Sequence, residues 1–216
     1  MKFTLVVSLM VLLLTSNLSF AFDPYLGVTI GTELTSVNKL SDASGSLNTD
    51  FNPGYVAGLT TGIAFDSSLG WNLKTIRAEA EIAYRSSDLT KMRNSTGLSA
   101  SMNGSVSVTS FMLNCYLENT SLLAEKVPLN LFFTIGAGGA VASISSISYM
   151  GTVLVNSAND TQFAYQGGFG VGYNLTKNVT LDTTYKYMGT TDFKLAGVNA
   201  EYGSHNVLLG LRYTFK

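Results

Sequence analysis

The stretch "FAYQGGFGVGYNLTKNVTLDTTYKYMG", residues 163–189, decides the fold class. In its first half Phe163, Tyr165, Gly167, Phe169, Val171 and Tyr173 alternate with Ala164, Gln166, Gly168, Gly170, Gly172 and Asn174. After the turn "TKN", Val179, Leu181, Thr183, Tyr185 and Tyr187 alternate with Thr180, Asp182, Thr184 and Lys186. A period of two is the mark of a strand, and two such runs joined by a short polar break form a hairpin. One face of this hairpin is bulky and greasy. The other is small, rich in glycine and sparsely polar.

The same pattern recurs along the chain. It predicts eight strands: Tyr25–Val37, Tyr55–Phe65, Thr75–Ser87, Val106–Glu118, Leu129–Ile144, Thr161–Leu175, Val179–Thr190 and His205–Phe215. No helical period of useful length is present, and only "LLAEKV" (122–127) suits a helical turn. The connections alternate between long and short. The long ones span 38–54, 88–105, 145–160 and 191–204 and are rich in Ser, Asn and Gly. An up-and-down barrel with one elaborate rim and one plain rim has this rhythm.

Alternation alone fits a soluble barrel with an apolar ligand as well as a membrane barrel. The size of the residues separates the two. Glycine facing water weakens a strand, whereas the inside of an eight-stranded barrel has room for little more than side chains. The small face therefore belongs inside and the greasy face against lipid.

Composition agrees. Only 12% of the 216 residues are charged, against about 25% in ordinary soluble domains. A formal net charge of −1 offers no basic stripe for nucleic acid. The first segment, "MKFTLVVSLMVLLLTSNLSFAF", has a positive start, a short apolar run and small residues before Phe22. It reads as a secretory signal peptide over 1–21, leaving a β-barrel over 22–216. The run is interrupted too early for a membrane helix, which needs about 20 apolar residues.

The polar face carries charge in places. Arg77, Glu79, Glu81 and Arg85 share one face of the third strand, Asp182 and Lys186 one face of the seventh, and Arg212 lies in the eighth. Buried charges persist only when paired and hydrogen-bonded. These seven are expected to form a closed network that plugs the barrel; the alternative is that they line a wet cavity or contact solvent near a rim. Aromatic residues near strand ends, among them Tyr25, Tyr55, Phe65, Trp71, Tyr84, Tyr173, Tyr185, Tyr187, Tyr213 and Phe215, suit the interfacial girdles of membrane barrels.

The sequence offers little for catalysis. A single His and a single Cys provide no metal set, and no cofactor is expected. Ser204 and His205 are adjacent, so a strand would point them to opposite faces. Cys115 falls on the lipid parity with Leu113 and Leu117. No enzymatic activity is expected.

The segments "SFMLNCYLEN", "PLNLFFTIGAGGAVA", "FAYQGGFGVGYNLTKNVTLDTTYKYMG" and "SHNVLLGLRYTFK" resemble the second half of the small eight-stranded outer-membrane β-barrel proteins. That group takes in opacity-type adhesins and the bacterial surface antigen family. The resemblance covers roughly residues 105–216 and is weaker from Pro24 to Tyr84. It implies an outer-membrane location in a Gram-negative bacterium, exposed variable loops and no single activity. Relatives act as adhesins, exposed antigens, structural proteins or small pores. The implied partners are outer-membrane lipid, the barrel assembly machinery and host-surface molecules met by the loops; a narrow porin-like channel is the alternative. The resemblance also implies a C-terminal assembly signal, here Leu209, Leu211, Tyr213 and Phe215. The family pattern ends on the aromatic, whereas this chain adds Lys216.

Overall fold

A computed structural model of the chain describes residues 22–215, apart from 43–44, 67–72, 94–98, 120–128, 146, 150–151, 156–157, 192 and 196–197. The signal segment, Trp71, the 122–127 turn and Lys216 lie outside the described residues. The strands are β1 (Asp23–Asp42), β2 (Gly45–Phe51), β3 (Gly54–Asp66), β4 (Leu73–Arg93), β5 (Ser99–Asn119), β6 (Leu129–Ile144), β7 (Ile147–Tyr149), β8 (Thr152–Val155), β9 (Ala158–Asn174), β10 (Val179–Thr190), β11 (Phe193–Leu195) and β12 (Val198–Thr214).

Eight of these are the staves of a closed barrel, in the order β1–β3–β4–β5–β6–β9–β10–β12. All their pairings are antiparallel, and β12 returns to β1 from Tyr25↔Thr214 to Ser41↔Asn199. Closure removes the sheet edge, whose open backbone groups would have no water to satisfy them inside a bilayer. The tight turn after β9 lies at one rim, where Asn178 Nδ2 donates to Thr214 O at 2.8 Å. Phe215 N donates to Pro24 O at 2.8 Å at the same rim, so both ends of the described chain sit on the short-turn side.

The long connections differ from the loops expected from composition. Staves β1, β4, β5 and β12 continue into them, and β2 pairs with both β1 and β4. Residues 198–204, expected as loop, extend β12 and pair with β1, β10 and β11. Past the membrane a polar hairpin still satisfies its backbone by pairing, so Ser- and Asn-rich sequence does not end the ladder.

The two faces separate as their residue sizes require. Leu113 and Ile135 are each 71% exposed, and Phe133, Phe169, Leu209, Leu211 and Tyr213 also point outward. Exposed Tyr55 and Tyr84 rings meet near one rim at 6.1 Å, and Tyr173 and Tyr213 stand near the other. Tyr25 departs from the girdle expectation. It is 1% exposed inside the lumen, because it shares the inward parity of Gly27, Thr29 and Glu33.

Candidate functional site: the filled lumen

Inside the barrel, large side chains sit opposite glycines. A Cβ on Gly170 would overlap the Phe132 ring. On Gly168 it would press against Lys186 Cγ at 3.0 Å. The bare face of β9 is what lets Phe132 from β6 and Lys186 from β10 enter the lumen.

The structure places all seven expected charged residues on the inner wall. Lys186 Nζ lies 2.5 Å from Glu81 Oε2, with β4 and β10 diametrically opposite in the stave order. Arg85 Nη2 is 3.7 Å from Glu81 Oε1, and Arg85 Nη1 donates to Ser110 Oγ at 2.7 Å. Arg212 Nε donates to Asp182 Oδ2 at 3.0 Å. Arg212 also reaches across the full lumen to Glu118 at 3.5 Å.

Glu118 was missing from the expected set, yet it joins two of its members. Arg77 Nε is 2.6 Å from Glu118 Oε1. The N–H is not aimed along that line, so the pair is ionic rather than a hydrogen bond. The Arg77 guanidinium also faces the rings of Tyr116 at 4.1 Å and Phe132 at 5.4 Å, a favourable setting for a cation. Strand parity carried the signal for Glu118: it shares the face of Asn114 and Tyr116.

Neutral groups complete the belt. Tyr25 and Tyr116 hydroxyls donate to Glu79 at 3.1 and 2.8 Å. Asn114 Nδ2 donates to both Glu79 and Glu81 at 3.2 Å, and Gln166 Nε2 donates to Asn114 Oδ1 at 2.6 Å. Higher up, Tyr202 donates to Glu33, and Thr35 to the same carboxylate at 2.9 Å. A hollow of about 30 Å³ remains among Arg77, Glu79, Tyr116, Asp182, Lys186 and Arg212, room for a few water molecules.

A second material fills the lumen toward the long hairpins. Val108, Met112, Ala140, Ala142, Ala164, Met188, Phe193 and Tyr202 form a buried cluster, with Val106 and Ile144 packed on it. At the other end the lumen widens into a polar vestibule of about 700 Å³ lined by Asp66, Glu118, Asn130, Asn174, Lys177 and Arg212.

Ser204 is buried inside, while His205 is exposed outside. The His205 ring meets the Tyr185 hydroxyl at 2.6 Å through Nδ1. Cys115 is exposed on the outer face. Leu209, Leu211 and Tyr213 also face outward, and the Phe215 ring packs edge-on to Tyr213 at 4.9 Å.

The chain belongs to the outer membrane protein β-barrel domain family, whose model matches residues 3–215. No match is found among curated proteins. Among solved structures, Neisserial surface protein A (NspA) is similar over 91% of this chain and 98% of its own, at 16% identity and TM-score 0.50. At that identity the likeness shows the fold alone. Ail, the attachment invasion locus protein of Yersinia pestis, solved with the heparin analogue sucrose octasulfate, aligns over 88% of this chain and 99% of its own, at 16% identity and TM-score 0.46. The outer membrane protease OmpT from Escherichia coli aligns over 93% of this chain and 100% of its own, at 13% identity and TM-score 0.49.

Proposed function

We propose that this member of the outer-membrane barrel family is a closed stand for its extracellular hairpins, serving surface contact as an adhesin or exposed antigen. The carrying observation is the filled lumen: an ionic belt with a hollow for only a few waters, then a buried apolar cluster. A barrel so filled has its rims as the surfaces left for partners, and the hairpin rim is the larger. In this reading the ionic belt is a plug. Residues 1–21 are removed on export, and Leu209, Leu211, Tyr213 and Phe215 are read by the barrel assembly machinery. Host-surface molecules meet the segments 38–54, 88–105, 145–160 and 191–204. A non-catalytic role is supported by Ser204 and the sole His205 lying on opposite sides of the wall.

Surface proteolysis of intact cells tests the orientation. Cuts confined to those four segments support it; cuts in the 175–178 turn reverse it. Deleting hairpin tips without loss of binding to host surfaces defeats the contact role.

The vestibule of about 700 Å³ favours a second reading, a narrow pore that opens when the belt rearranges. Steady conductance of the purified barrel in planar bilayers would establish that reading and remove the plug.

A further inference from the structure

The packed interior is one positive charge short. Among the described residues it holds five carboxylates, Glu33, Glu79, Glu81, Glu118 and Asp182, and four cations, Arg77, Arg85, Lys186 and Arg212. The ion pairs of the four cations go to Glu81, Glu118 and Asp182. Glu79 has both oxygens covered by neutral donors. Glu33 is different. It is 1% exposed, and its two donors, Tyr202 and Thr35, both reach Oε1. Its Oε2 has no hydrogen-bond partner.

Across the β1–β12 seam Glu33 pairs with Asn206, which is fully buried. Asn206 Nδ2 donates to Lys186 O at 3.2 Å, Ser204 O at 3.3 Å and Ser204 Oγ at 3.1 Å. Lys186 belongs to β10, so the amide nitrogen turns toward β10 and Oδ1 turns toward β1. The reverse orientation would set Oδ1 against two carbonyls. Oδ1 also has no hydrogen-bond partner. Directly opposed residues have Cβ atoms about 4.5–5.5 Å apart, so two bare oxygens meet across the seam and one of them carries a charge.

We propose that one monovalent cation, a proton or an alkali-metal ion, is bound between Glu33 Oε2 and Asn206 Oδ1 and bolts the β1–β12 seam. A buried carboxylate needs a counter-charge. A water donating to both oxygens would satisfy them and leave that charge unbalanced. The charged neighbours on other staves are engaged elsewhere. Arg85 on β4, which acts electrostatically on Tyr202, turns to Ser110 and Glu81, and Lys186 Nζ is held by Glu81. A single missing charge and two bare oxygens suit a monovalent cation, whereas calcium collects six or more oxygens. Each side of the seam supplies one oxygen, so the site is complete only after β12 has docked on β1. A cation that binds the closed barrel and not the open sheet favours closure by mass action.

The rate of unfolding in urea of the purified barrel, read by gel mobility, tests this. Sodium is raised from zero to 200 mM at pH 8.5, with choline chloride holding the ionic strength constant. Separately, pH is lowered from 8.5 to 6 in choline alone, in the His205→Gln background, since His205 is the sole histidine. Unfolding is expected to slow at least threefold in one arm: a sodium response identifies an alkali ion, an acid response a proton. Glu33→Gln removes the charge, and its amide can donate to Asn206 Oδ1 while its oxygen still accepts from Tyr202 and Thr35. It is expected to unfold at least threefold more slowly than wild type at pH 8.5 in choline and to respond in neither arm. A wild-type barrel indifferent to both sodium and acid overturns the proposal. So does a Glu33→Gln barrel that keeps the response, or one that unfolds faster than wild type at pH 8.5 in choline.

Discussion

Lys186 and Glu81 join opposite staves of the barrel: Nζ of one lies 2.5 Å from Oε2 of the other, with both side chains buried. The pair acts as a strut across the lumen. Glu81 also faces Arg85 and accepts from Asn114, so two cations depend on one carboxylate. Glu81→Gln is expected to destabilise the barrel by about 3–5 kcal/mol, the cost of leaving a buried charge without its partner. Adding Lys186→Met should recover more than half of that loss. The temperature at which the folded band disappears on unboiled gels measures both.

The meeting of Phe132 with Gly170 is a packing constraint between two staves that are direct neighbours. Gly170→Ala is expected to cost about 1–3 kcal/mol, as overpacking of a filled interior does. Phe132→Leu in the same chain should restore part of it. If Gly170→Ala unfolds in urea like the wild type, the lumen is looser than these distances indicate.

In the proposed plugged barrel the ionic belt and the apolar cluster are two blocks in series, and each should suffice alone. Met188→Ala with Phe193→Ala thins the apolar cluster but leaves the ionic belt, so single-channel recordings should stay silent. Glu81→Ala with Lys186→Ala opens the belt but leaves the cluster, and an apolar constriction excludes ions by dewetting. Only the fourfold variant is expected to conduct.

The closing strand yields a prediction about assembly rather than stability. Phe215 lies beyond the last ladder residue, with its N–H on Pro24 and its ring on Tyr213. Phe215→Ala should lower the amount of barrel assembled in cells several-fold while shifting the melting of the purified barrel little. Deleting Lys216, which leaves the aromatic last, should raise the insertion rate. Pulse-chase labelling followed by the gel-mobility assay reads both.

The eight staves and their two faces were legible because a period of two leaves no freedom: once Phe133 is outside, Phe132 must be inside. The seven lumenal charges followed from the same parity. Glu118 was equally legible in principle but stands at the end of its strand, where a charge suits solvent as well as lumen. Tyr25 deceived for the same reason, as a terminal aromatic that looks like a girdle residue. The apolar cluster of Val108, Met112, Met188 and Phe193 was not legible. In a membrane barrel an apolar residue on the inward parity has no distinctive neighbours in sequence, and only closure brings these four together. The hairpin extensions were hidden by composition, since Ser and Asn are common in loops and tolerated in solvent-exposed ladders.

The seam between β1 and β12 has a consequence for how the molecule comes into being. Every other junction between staves links segments that follow one another along the chain, so each can zip as a local hairpin at little entropic cost. The seam alone sets Tyr25 against Thr214, at opposite ends of the described chain. Until the final segment arrives, the growing sheet carries two raw edges, and each is a template for the wrong strand. The barrel is therefore most vulnerable to misassembly in the interval before its last strand docks.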